Sequence, residues 1–350
     1  MIIMRYVIRI KNEESSMKRI VVVGAGAFGT ALALAFLRAG HHVTLKPRRA
    51  EHAAELNSAG ENRQYLAGVP LPHNLIIDDE HQCLAKAELV VLAIPVQQTP
   101  SILNEISMFL PSKVPFLVVS KGILTEKTLQ TPFISDWIEQ NIPDHPVFVL
   151  SGPNFAGEIA RCLPAAATLA HPDPIAVKKM AESLWHTHFR LYPSTDRRGV
   201  EFCGAVKNVY AIACGICSGL NLGHNALATL ITRCLAEIKR LGVGMGAQPD
   251  TFLGLSGVGD LMLTCTSTQS RNMSFGIELA KGRSVAEILT ERKTVAEGIA
   301  TSKALNDLVL ANALPMRVAN AVYSIVHQGV SVDSVISDLL SRHEVCFESE

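Results

Sequence analysis

Two lysines and an aspartate stand where polar side chains are costly. Lys207 lies in the segment GAVKNVYAI and Asp260 in GVGDLMLTC, both otherwise apolar, while Lys121 directly follows the β-type run PFLVVS. An ammonium among apolar residues must reach water, a partner or a ligand, and desolvation lowers its pKa towards that of a working acid or base. A lone buried aspartate is equally unfavourable, so a Lys207–Asp260 pair is the expected arrangement. Such a pair could protonate a carbonyl oxygen while hydride arrives at its carbon; a snorkelling Lys207 is the purely structural alternative. Ser270-Arg271-Asn272 adds a hydroxyl, a guanidinium and an amide after a Thr/Ser-rich turn. That set suits a phosphate, and a helix cap followed by a surface arginine is its bland counterpart.

Hydride chemistry needs a carrier, and the early chain offers a cradle for one. Gly24-Ala25-Gly26-Ala27-Phe28-Gly29 fits G-x-G-x-x-G, with the strand-like RIVVV before it and a helical pattern after it. In that context Gly24 permits a tight turn, Gly26 lets backbone approach a pyrophosphate, and Gly29 allows close helix–strand packing. The helix N-terminus then presents free N–H groups to the phosphates. A glycine turn without a ligand is the alternative. After the next strand, where a carboxylate would hold the ribose 2′-hydroxyl of NAD(H), the chain reads Lys46-Pro47-Arg48-Arg49. Two guanidinium groups without an acid predict a preference for NADP(H) over NAD(H). Arginines that merely solvate the sheet edge would have the same sequence.

The elements that must position these groups fall into two kinds. Apolar runs at 19–24, 42–45, 88–95, 115–120, 146–152, 165–170 and 189–194 alternate with helical patterns, which predicts a parallel sheet covered on both faces. From about 198 long helical patterns dominate, such as 225–242, and Ile299, Leu305, Leu308 and Val309 give a later apolar stripe. The expected fold is therefore α/β: a doubly wound Rossmann-type domain over 17–194 followed by an all-helical substrate domain over 195–340. Residues 1–16 read as a disordered segment or a start-site extension, and 341–350 as a polar tail. The glycine-rich stretches 242–246 and 254–259 read as helix ends and turns rather than a second nucleotide loop.

With 32 basic and 32 acidic residues, the 350-residue chain shows no charge bias towards nucleic acid. No run of about 18 purely apolar residues predicts a membrane span. Eight scattered cysteines and no secretory leader point to a reducing cytoplasm. Cys214 and Cys217 have C-x-x-C spacing but read as buried helical thiols, and His186/His188 as an ordinary surface or strand pair, so no metal is expected.

A series of longer motifs sharpens this. GAGAFGTALA (24–33), SKG (120–122), LSGPNFAGEIARCLPAA (150–166), GVEFCGAVKNVYAIACGI (199–216), NALATLITRCLAEIKRLG (225–242) and FLGLSGVGDLMLTCTSTQSRN (252–272) occur in that order. From about Lys18 to about 330 the chain resembles the bacterial NAD(P)-dependent glycerol-3-phosphate dehydrogenases. The resemblance implies reversible reduction of dihydroxyacetone phosphate to sn-glycerol 3-phosphate, which supplies phospholipid synthesis. It makes Lys207 the proton donor or acceptor at the C2 oxygen and has Lys121 touch both cofactor and substrate. Gly152, Asn154, Asp260, Ser270, Arg271 and Asn272 would line the substrate pocket. Ala27, Phe28, Arg48, Arg49, Tyr65, Ala156, Arg271, Val295 and Glu297 would meet the cofactor. Ala27, Asn154 and Lys46 depart from residues common in the family, and Lys46 is expected to add positive charge near the adenosine end. Thr294-x-x-Glu297 also fits a capping box that would serve a helix alone. Apolar C-terminal helices suggest a homodimer.

Overall fold

A computed structural model describes residues 17–125, 132–291, 297–312 and 314–341. Val295 and Thr294, and with Thr294 the capping-box expectation, lie outside the described residues, as do 1–16 and 342–350.

β1 (Arg19–Val23) shows why the early strands are apolar throughout. Ile20 and Val22 enter the core on one face of the sheet, while Val21 and Val23 enter the core on the other. A strand covered on both sides has no solvent face to mark with polar residues. α1 (Ala27–Arg38), β2 (His42–Lys46), α2 (Ala50–Ala59), β3 (Ile76–Ile77), β4 (Leu89–Leu92), α3 (Thr99–Ile106), β5 (Phe116–Val118), α4 (Ile134–Asn141) and β6 (Val147–Ser151) continue the alternation. These strands lie in the order β3-β2-β1-β4-β5-β6 and are all parallel. The order reverses beside β1, so a crevice for ligands is expected at the carboxyl ends there.

The remainder of the sheet departs from the all-parallel expectation. After β6 come α5 (Ala156–Ala160), β7 (Ala165–Ala170), α6 (Pro174–Leu184) and β8 (Phe189–Ser194). β7 runs antiparallel to β6, and β8 runs parallel to β7. A parallel return needs a crossover that recrosses the sheet. The five-residue α5 rises only about 7.5 Å, too little to pass back along a strand of that length.

Beyond Ser194 the described residues form no further strand. They form α7 (Arg197–Gly219), α8 (His224–Gly244), α9 (Asp260–Thr266), α10 (Arg271–Ala280), α11 (Val285–Glu291), α12 (Glu297–Asn312), α13 (Arg317–Gln328) and α14 (Val332–Ser341). The glycines at 242–246 close α8 and its following turn, and those at 254–259 lie in a kinked turn before α9. The Asp196 carboxylate fixes the start of α7, accepting from Gly199 N at 2.9 Å, Gln248 N at 2.9 Å and Thr251 Oγ1 at 2.6 Å. α7 is long and apolar enough to cross a membrane, but 94% of its apolar window is buried inside the protein. It is apolar all round because other helices surround it. Cys214 and Cys217 are two of its buried thiols. α10 crosses α7 in close contact: a β-carbon on Gly276 would lie 2.1 Å from the Ile212 carbonyl oxygen, and one on Gly215 would lie 2.1 Å from that of Met273.

Candidate active site and cofactor cradle

The three glycines of the early loop have separable roles. Gly24 has φ 111°, and a β-carbon there would lie 2.4 Å from the Ala93 carbonyl oxygen. One on Gly29 would lie 2.0 Å from the carbonyl oxygen of Gly24. Both positions exclude side chains because protein backbone occupies the space. Gly26 is different: among the described residues a β-carbon there would meet nothing within 4 Å, and no side chain caps the helix that Gly26 opens. Open space before an uncapped helix N-terminus fits a pyrophosphate. Asn62 holds this loop, donating to the Ala25 carbonyl at 2.9 Å and to Thr30 Oγ1 at 2.8 Å. Ala27 begins α1, and half-buried Phe28 and Ala156 pack against the core on that face of the sheet.

At the end of β2 the cations divide. Arg48 and Arg49 are exposed, and Arg48 Nη1 donates to Gln98 Oε1 at 3.4 Å. Lys46 instead turns inward, buried, with its ammonium on the Asp79 carbonyl oxygen. Its charge is thus held inside the fold on a carbonyl oxygen rather than on the exposed rim with Arg48 and Arg49. Tyr65 is exposed and meets His52 edge-on, ring centres 5.6 Å apart.

Lys207, Asp260 and Lys121 converge. Asp260 is fully buried and receives both ammoniums: Lys207 Nζ on Oδ1, and Lys121 Nζ on Oδ2 at 2.7 Å. Lys207 Nζ also donates to Thr264 Oγ1 at 2.7 Å, and Lys121 Nζ approaches the Gly152 carbonyl at 3.4 Å. Local folding explains the meeting. Lys121 stands just beyond β5, at its carboxyl end. Gly204, one helical turn before Lys207, lets α7 press against that edge; a β-carbon there would lie 2.6 Å from Ser151 Oγ and 3.6 Å from Lys121 Cγ. The kinked turn over Leu255–Gly259 swings the chain so that Asp260 opens α9, where its charge complements the helix dipole. Burial lowers the Lys207 pKa to about 8, against the pull of Asp260 and with the push of Lys121.

Around this pair lie groups with spare hydrogen-bonding capacity. Both amide atoms of Asn154 and the Ser151 hydroxyl are buried without a hydrogen-bond partner among the described residues. Gly152, φ 157°, brings its backbone close to Asn154: a β-carbon there would lie 3.1 Å from Asn154 Nδ2. Ser270 caps α10, accepting from Met273 N at 3.3 Å, so the helix-cap alternative holds for its side chain. Asn272 ties three helices together, donating to Asn208 Oδ1 at 2.9 Å and accepting from Gly298 N at 3.0 Å. Burial pushes the Glu297 carboxyl up, while Arg271, Lys121 and Lys207 draw it back. Among the described residues, three cations thus share this region with the Asp260 and Glu297 carboxylates.

Several of these residues escaped the sequence. Thr264 lies four residues after Asp260 on one helix, a spacing that could have flagged it. Asn208 adjoins Lys207, and Asn62 lies in a loop without a motif; neither carries a local signal.

The chain is similar to known proteins over both of its halves. A family model described as the N-terminus of NAD-dependent glycerol-3-phosphate dehydrogenase matches residues 19–177, and its C-terminal counterpart matches 196–337. A glycerol-3-phosphate dehydrogenase [NAD(P)+] of Myxococcus xanthus is 43% identical over 326 residues, covering 92% of this chain and 96% of the relative. One from Caulobacter vibrioides is 41% identical over 327 residues, covering 93% and 98%. The crystal structure of a Coxiella burnetii glycerol-3-phosphate dehydrogenase superposes with a TM-score of 0.88 at 33% identity, covering 93% of this chain and 99% of that one. The chain belongs to the NAD-dependent glycerol-3-phosphate dehydrogenase family.

Proposed function

We propose that this protein reversibly reduces dihydroxyacetone phosphate to sn-glycerol 3-phosphate, with Lys207 exchanging the proton at the C2 oxygen. The observation that carries this reading is the buried Lys207–Asp260–Lys121 cluster at the carboxyl end of the sheet. NAD(P)H, when bound, supplies the hydride. Lys207 as ammonium gives its proton to the oxygen on which negative charge develops, and Lys121 adds a second positive charge beside it. Asp260 keeps Lys207 charged despite burial, and Thr264 fixes its Nζ by accepting a hydrogen bond. With its pKa near 8, Lys207 can lose and regain a proton near neutral pH, as a reversible reaction requires.

The substrate phosphate is assigned to Arg271 and the first turn of α10, where Ser270 and Asn272 set the helix start, with Gly152 and Asn154 across the pocket. Gly24, Gly26 and Gly29 shape the pyrophosphate loop. Ala27, Phe28, Tyr65, Ala156 and Glu297 complete the cofactor contacts. Exposed Arg48 and Arg49 are assigned to a 2′-phosphate, which makes NADPH the preferred reductant. The division at 194–195 separates a dinucleotide-binding unit from a substrate unit. Five buried free thiols among the described residues support a reducing cytoplasmic setting, and we assign a homodimer, which light scattering would check. The direct test is NADPH absorbance with dihydroxyacetone phosphate. Rapid consumption that vanishes with unphosphorylated dihydroxyacetone is expected; equal rates on both would sink the phosphate assignment.

A further inference from the structure

The ligand atoms of Cys162, His186 and His188 all lie within 4.8 Å of one another, although they come from separate stretches of chain. We propose that these three side chains form a binding site for a zinc-like divalent cation. Their meeting follows from the pairing of β7 with β8. Ala165 pairs with Phe189, and its N–H donates to the His188 carbonyl at 2.8 Å. Residues just before the two strands therefore share one end of the ladder. The turn that carries both histidines is closed by reciprocal backbone bonds between His186 and Phe189, at 3.3 and 3.0 Å. The two rings lie 5.6 Å apart at 33°.

Cys162 is held from its own side. Arg38 donates to the Ile159 carbonyl at 2.9 Å and to that of Ala160, bracing the segment just before the cysteine. Cys162 itself has φ 64°, the left-handed region that favours glycine. A thiol is thus kept where the backbone prefers no side chain, a strain that is common at functional positions.

One sulfur and two imidazoles make a borderline-soft set suited to zinc, and exposed His188 leaves a fourth position for water. On ligation Cys162 Sγ releases its proton to solvent. Arg38 acts electrostatically on His186 and opposes a cation here, so the thiolate charge decides binding. A bound cation would clamp the link between β6 and β7, which carries Asn154, to the entry of β8.

Cobalt(II) titration of the whole protein tests the site. One equivalent should give a near-ultraviolet thiolate-to-cobalt band, with tetrahedral ligand-field bands in the visible. Zinc at a hundredfold excess over its Kd should raise Tm by roughly 3–4 °C. Cys162→Gly should abolish both effects without loss of fold, because glycine suits that backbone, and His188→Ala should weaken binding about tenfold or more. A band that persists in Cys162→Gly, or no band from the wild-type protein, overturns the proposal.

Discussion

Replacing Asp260 with asparagine removes one negative charge and almost no volume. Two ammoniums lose their shared counter-charge, and that of Lys207 is buried. In the wild-type protein Asp260 raises the Lys207 pKa against burial, and the balance stands at about 8. A unit charge at about 3 Å, with an effective dielectric of about 20, is worth roughly 5 kcal/mol, so even partial loss moves the pKa down by about 2 pH units. In the proposed mechanism reduction uses the ammonium, so its rate falls as pH rises through that pKa. At pH 7 the protonated fraction should drop from about nine-tenths to about one-tenth, and activity should recover as the pH is lowered. The assay is kcat/KM for dihydroxyacetone phosphate from pH 5 to 10, with thermal unfolding measured in parallel. Breaking a buried pair also costs about 3–5 kcal/mol of stability. A basic limb that stays near 8 in Asp260→Asn, with undiminished rate at pH 7, would refute the electrostatic account.

Gly26→Ala should keep its Tm but raise the cofactor KM more than about tenfold, since the new methyl enters open space that a pyrophosphate needs; Gly24→Ala should instead lose about 3 kcal/mol or more, readable by urea unfolding, because its methyl meets backbone. Replacing Arg48 and Arg49 by alanine should cut kcat/KM for NADPH about 10–100-fold and leave the NADH value nearly unchanged; equal losses with both would remove the 2′-phosphate assignment. Glu201, buried beneath the Ser135 N–H and hydroxyl, has its carboxyl pushed by burial to about 7 from an ordinary 4.5. Between those values the folded state binds more protons than the unfolded one, so this group loses stability as pH rises through the window. Glu201→Gln should therefore gain up to about 3 kcal/mol at pH 8 and much less at pH 4.5, measured by denaturant unfolding.

Much of the fold could be read because burial writes itself into the chain. Ile20 to Val23 feed cores on both sides, so the strand shows as an unbroken apolar run, and surrounded α7 shows as an apolar helix. The reversal of β7 could not be read in this way. Its residues are as apolar as those of a parallel strand, and only the shortness of α5 gives the direction away. Within the site, Lys207 and Asp260 were legible because each is a charge in an apolar segment. Lys121 joins them through the approach of Gly204 to Ser151, a contact without local signature. Lys46 shows the converse: its charge is plain in the sequence, but the Asp79 carbonyl that takes it comes from another loop.

The role of Lys207 is tested most directly by Lys207→Met, which preserves length and removes the proton. We predict that kcat for NADPH-dependent reduction of dihydroxyacetone phosphate falls about 10²–10⁴-fold, while NADPH binding, followed by fluorescence titration, is unchanged. A kcat within about tenfold of the wild type would contradict the assignment of Lys207 as the proton donor.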